Sequence, residues 1–219
     1  MPSTEAILDG LTAIANDWRG LAVGWHALLA AVSVAVFGGW RPTNRAAAVL
    51  LILPLVSVSA MAWNSGNPFN TATFAALALV LGAIASRIGS RPVRLSQPWL
   101  VVPGALLLMF ASVYPHFLHA RTWAEYIYAA PLGLIPCPTL SAVIGITLIL
   151  GLLESRTWSL TVAVMGLAYG AIGIFRLGVR IDVALLAGAS LLALTALAGI
   201  PAALDPRRHR RTGQPVSAL

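Results

Sequence analysis

Residues Tyr114–Leu153 read YPHFLHARTWAEYIYAAPLGLIPCPTLSAVIGITLILGLL. The stretch contains the longest interruption between apolar segments and then ends inside one. It holds the only cysteine, two of the four histidines and four of the fourteen prolines. Its second half, 132–153, is apolar for long enough to cross a bilayer, which takes roughly 17–25 residues. Six more apolar runs surround it, at 20–39, 46–63, 71–86, 98–115, 158–175 and 183–201. The run at 71–86 is short and must draw on its flanks. The chain is 58% hydrophobic and 10% charged, with a mean hydropathy of +0.84. A soluble domain carries about 25% charged residues, so lipid rather than water must solvate most of this surface. The fold class that follows is all-α, a polytopic transmembrane bundle of about seven spans.

Arginine placement orients the spans. The net charge is +7, and every basic residue is arginine. With the C-terminus in the cytoplasm, Arg41, Arg45, Arg87, Arg91, Arg94, Arg156, Arg207, Arg208, Arg210 and Arg211 fall inside. Arg19, Arg121, Arg176 and Arg180 fall outside. This ten-to-four split satisfies the positive-inside rule and puts the N-terminus outside. Trp40, Trp63, Trp99, Trp123 and Trp158 sit near the proposed ends, where interfacial aromatics belong. The basic excess therefore reads as topology and contact with membrane lipid, not as nucleic-acid binding.

Three regions are expected. Residues 1–19 form an amphipathic segment on the membrane, with Ile7, Leu8, Leu11, Ile14, Ala15 and Trp18 at helical spacing. Its Glu5, Asp9 and Asp17 are the reverse of a positive signal-peptide n-region. Residues 20–201 form the bundle, and 202–219 a basic cytoplasmic tail. Gly166 and Gly170, with Ala163 and Gly173, give the sixth span a small face. That face suits close packing inside the bundle or, alternatively, a homo-oligomer or another membrane protein. Pro54 and Pro103 fall within spans and are expected to kink them.

Several reactive or polar groups share the outer depth: His26, Met61, Asn64, Tyr114, His116, His119, Cys137, Arg176, Arg180 and Asp182. Pro136-Cys137-Pro138 is the most unusual tripeptide. It predicts an irregular approach and a regular helix from Thr139, with Cys137 near a helix N-terminus whose dipole favours a thiolate. His116 and His119, at i, i+3, would share a helical face and with Cys137 could bind a metal or haem iron. The competing reading is a small buried Cys137 and ordinary interfacial histidines. His26 lies within the first span, where ionisable groups often face the bundle and carry function. Glu125 with His116 or His119 is the one available acid–base pair.

The order Tyr114-Pro115, a histidine, then Pro131-Leu132-Gly133-Leu134-Ile135-Pro136-Cys137-Pro138-Thr139 resembles a family of uncharacterised bacterial multipass membrane proteins. That family carries a Y-P … P-x-[FL]-G-x-x-P-C-P-T segment leading into an apolar helix. Trp63-Asn64 and Asn67-Pro68-Phe69-Asn70 are similar to its second loop. The resemblance implies a small helical bundle in a bacterial cytoplasmic membrane and supplies no catalytic residues.

No G-x-S-x-G, Walker A, G-x-G-x-x-G or H-E-x-x-H motif occurs. The expected function is a non-enzymatic small permease or accessory membrane subunit without a cofactor. The alternative is an outer-face metal, haem or thiol site on Cys137 and His116 or His119. The candidate cavity residues are His26, Tyr114, Glu125 and Cys137.

Overall fold

The computed structural model describes residues 3–199. The expected basic tail, 202–219, lies outside the described residues. Within them every regular element is helical. The order is α1 (Thr4–Asp17), α2 (Arg19–Phe37), α3 (Asn44–Asn64), α4 (Pro68–Ala85), α5 (Pro98–Ser112), α6 (Trp123–Ala129), α7 (Pro136–Ile149), α8 (Arg156–Ala171) and α9 (Val183–Ala198). Local chemistry sets the starts. Ser3, Thr43, Asn67 and Ser155 accept the N–H of Ala6, Ala46, Asn70 and Trp158 respectively, the ordinary use of an N-cap side chain. Pro68, Pro98 and Pro136 stand at first helical positions, where a missing N–H costs nothing.

Five segments are long and apolar enough to cross a membrane: Arg19–Val36, Asn44–Asn64, Pro68–Ala85, Arg156–Arg176 and Arg180–Ala198. Pro98–Ser112 and Pro136–Ile149 are shorter apolar helices. The expected fifth span, 132–153, is thus a helix of 14 residues, about 21 Å long. It begins at Pro136, not at Thr139. All three residues of Pro136-Cys137-Pro138 fit the first turn, because no N–H there has an intrahelical acceptor anyway.

α7 can be short because it is the core of the molecule. Only Cys137, Ile146 and Ile149 of its residues escape full burial. Helices α5, α8, α9 and α3 surround it. Irregular backbone flanks it on both sides, Ala130–Ile135 before and Leu150–Leu153 after, and both stretches are buried. Non-helical backbone at membrane depth survives only where protein covers it. Gly133, at φ +73°, donates its N–H to Thr139 Oγ1 at 2.9 Å, and that hydroxyl donates to the Ile135 carbonyl at 2.7 Å. A side chain at Gly133 would also strike the Trp25 ring. At the far end, Gly151, Leu152, Leu153 and Glu154 all take positive φ. Ser96 holds this turn: its hydroxyl accepts the Gly151 N–H and donates to the Leu148 carbonyl.

Glycines set the closest helix crossings. A Cβ on Gly104 would lie 2.7 Å from the Gly145 carbonyl oxygen, and a Cβ on Gly145 equally close to the Gly104 oxygen. α5 and α7 therefore touch backbone to backbone. The expected small face of α8 is filled within the chain: Gly166 meets Ala189 and Ile144, and Gly170 meets the Leu186 backbone. Pro54 and Pro103 lie inside continuous helices α3 and α5. α1 packs on the rest of the chain. Leu11 and Ile14 are buried in a cluster with Tyr114, Leu134, Ile135 and Val179, so its apolar face covers one end of the bundle.

Candidate functional site

Six chain segments meet where α7 begins. They are α1, the start of α4, the loop after α5, the start of α7, the end of α8 and the turn before α9. Between them lies a cavity of about 200 Å³. Ile7, Leu11, Phe69, Phe117 and Tyr169 supply apolar and aromatic wall, and Asn67, Asn70, Cys137, Arg176 and Asp182 supply the polar groups.

Asp182 is the centre of the arrangement. Only 1% of its surface is exposed. Its Oδ1 accepts the Tyr114 hydroxyl at 2.7 Å, and its Oδ2 has no hydrogen-bonded partner. An ionised carboxylate has room for about four hydrogen bonds. Leaving a buried acceptor unmet costs about 1–3 kcal/mol. The Cys137 thiol interacts with this carboxylate, and His116 acts on it through space. Among the described residues the one ion pair is Arg19–Glu125, at 3.1 Å, so no cation pairs with Asp182.

The backbone makes room for the acid. α8 widens into a π-helical turn at Ile172–Arg176, with the Leu177 N–H reaching the Ile172 carbonyl at 3.0 Å. Such widened turns occur frequently at functional sites. Within it, Gly173 lies against Asp182: a Cβ there would come 2.0 Å from Oδ2. Deeper in the wall, the Tyr169 hydroxyl donates to Asn70 Oδ1 at 2.8 Å, and the Tyr169 ring meets Phe74 edge-on.

The expected outer constellation divides into two. Tyr114, Cys137, Arg176 and Asp182 converge on the cavity end. Glu125 does not: it pairs with Arg19. His26 sits between α2 and α5, its ring nitrogens 2.8 Å from the Ala22 carbonyl and 2.9 Å from that of Ser112. One nitrogen donates in the neutral ring and both in the imidazolium. His116 and His119 share no helical face, because α5 stops at Ser112, Pro115 holds Tyr114 out of the α region, and Phe117 turns at φ +72°. His116 lies edge-on against Phe117, while the backbone of His119 is bound by Asn16 and Arg19. Among the described residues no three His, Cys, Asp or Glu side chains form a group able to hold a metal ion. His116 and His119 therefore offer no shared helical face on which such a site could be built.

Asn16, Asn70 and Tyr169 were missed. Asn16 fastens α1 to the loop beneath it: its amide donates to the Thr12 and Phe117 carbonyls, and its oxygen accepts from Arg19 and the His119 N–H. Tyr169 carried a usable signal, since it places a polar atom in an otherwise apolar run, whereas Asn70 stands among the polar residues that precede one.

These features define an all-helical protein with membrane-length apolar helices and, at one end, a mainly apolar cavity that holds a few polar groups. In comparison with known proteins, no family model, no curated protein and no solved structure matches the chain.

Proposed function

We propose that the protein crosses a bacterial cytoplasmic membrane seven times, with its N-terminus outside, and binds a small solute in the cavity beneath α1. It acts as a non-enzymatic permease or as a solute-binding accessory subunit. The observation that carries this reading is the unpartnered Oδ2 of Asp182, a polar atom kept dry at the wall of a cavity. Intramembrane acids are costly and mark solute or ion pathways.

Loop geometry supports the topology. Asn44 donates its N–H to the Arg91 carbonyl, Arg45 Nε reaches the Ile88 carbonyl, and Ser96 holds the turn after α7. The α2–α3, α4–α5 and α7–α8 connections thus gather at one end, with Arg41, Arg45, Arg87, Arg91, Arg94 and Arg156 along them. The cavity and α1 lie at the other end. The resemblance of the Pro136-Cys137-Pro138-Thr139 segment to bacterial multipass proteins supports the choice of membrane.

Strains lacking and overproducing the protein test the solute reading. The expected result is at least one small polar solute whose intracellular pool follows the protein level and stops doing so with Asp182→Asn. Pools that are identical in all strains would defeat the proposal.

A further inference from the structure

The cavity carries two opposite charges at different depths. Asp182 is buried at its wall, with Tyr114 on one carboxylate oxygen and nothing hydrogen-bonded to the other. Arg176 lines the same cavity but is exposed, and the one ion pair among the described residues does not include it. A purely cationic ligand would satisfy the acid and meet the guanidinium as a like charge. An anion would do the reverse. A ligand carrying both charges satisfies both groups at once, and aromatic faces near a carboxylate also favour an ammonium. The volume, about 200 Å³, falls below the roughly 300–1,000 Å³ typical of sites for drug-sized ligands.

We infer that the cavity beneath α1 takes a small zwitterion of the α-amino-acid class, its ammonium on Asp182 Oδ2 and its carboxylate toward Arg176. This rests on the solute-binding reading and names the substrate class of the same site. The aliphatic side chain lies against Ile7, Leu11 and Phe69, so α1 forms one wall of the site. Specificity comes from the buried acid, because an ammonium that fails to reach it leaves that oxygen unmet.

The test is thermal unfolding of the full-length purified protein with glycine, L-alanine, L-valine and L-leucine at millimolar concentration. Each is compared with the amine and the acid that lack one of its charges: isobutylamine and 3-methylbutanoate in the case of L-valine. The expected result is an upward midpoint shift of about 3 °C with at least one amino acid. Neither single-charge analogue shifts the midpoint, Asp182→Asn abolishes the effect, and Arg176→Gln weakens it at least tenfold in concentration dependence. Arg176 is exposed, so that variant keeps the fold and isolates recognition from stability. No shift with any of the four, or an equal shift with amine or acid alone, overturns the inference. In that event the strain comparison separates the two claims, because solute pools that still follow the protein leave the cavity reading intact and remove only the ligand class.

Discussion

Asp182 decides the chemistry, and its surroundings are built to keep it in place. Gly173 allows the carboxylate to lie against backbone, and Tyr114 is wholly buried beside it, edge-on to Phe110. The hydroxyl of Tyr114 donates to one oxygen of this acid at 2.7 Å, and the Cys137 thiol bears on the same carboxylate. Tyr114→Phe keeps the ring packing and removes that bond, so it should lower stability by about 1–3 kcal/mol in thermal or denaturant unfolding. An unchanged unfolding midpoint would mean that the Tyr114–Asp182 bond contributes nothing. At this scale the sequence was half legible. Tyr114, Cys137 and Asp182 stood at one depth on hydropathy alone, but depth does not bring side chains together. The two loop histidines misled because i, i+3 spacing has meaning only on a helix, and Pro115 ends the helix before them. Asn16 was invisible, since nothing in its neighbours distinguishes a four-bonded asparagine from a solvated one.

At the scale of elements, the bundle depends on one crossing and one cover. α5 and α7 approach through Gly104 and Gly145, with carbonyl oxygens where side chains would otherwise be. Gly145→Val must push the helices apart, and should cost more than about 3 kcal/mol or prevent folding. Gly82→Ala, at a helical position with open space around it, should be neutral or slightly stabilising. Equal yield and unfolding midpoint for the two variants would show that the crossing is looser than described. This crossing went unread because Gly104 and Gly145 lie in different helices, and Gly104 has no small residue four positions away in its own helix to mark it. The start of α7 was misread for a different reason: proline breaks a helix interior but suits its first turn. The cover is α1, whose amphipathic pattern was legible although the surface it covers was not. A helix with one apolar stripe reads the same whether lipid or protein receives it.

At the scale of the whole molecule, the number of apolar segments was plain in the sequence because hydropathy integrates over twenty residues and tolerates local error. What hydropathy could not show is that one of those segments is enclosed by the others. An apolar helix enclosed by protein can be shorter than its apolar run, as α7 is, because its flanking irregular backbone is buried too. The proposed topology predicts that reporters fused to the two ends report opposite compartments, the N-terminal one outside. Reporters on the same side would require an even number of crossings and would dismantle the arginine argument with it.

The central claim is that α1 covers a cavity open to the outer side, with Cys137 in its wall. Cys137 is the only thiol in the chain, so labelling of intact cells with a small membrane-impermeant methanethiosulfonate reports that one position without ambiguity. The account predicts labelling from outside that accelerates several-fold in Asn16→Ala, where α1 loses its anchor to the Phe117 and His119 backbone, and that slows when the cavity is occupied by ligand. Labelling only after the cytoplasmic face is exposed, or a rate indifferent to the anchor of α1, would contradict it.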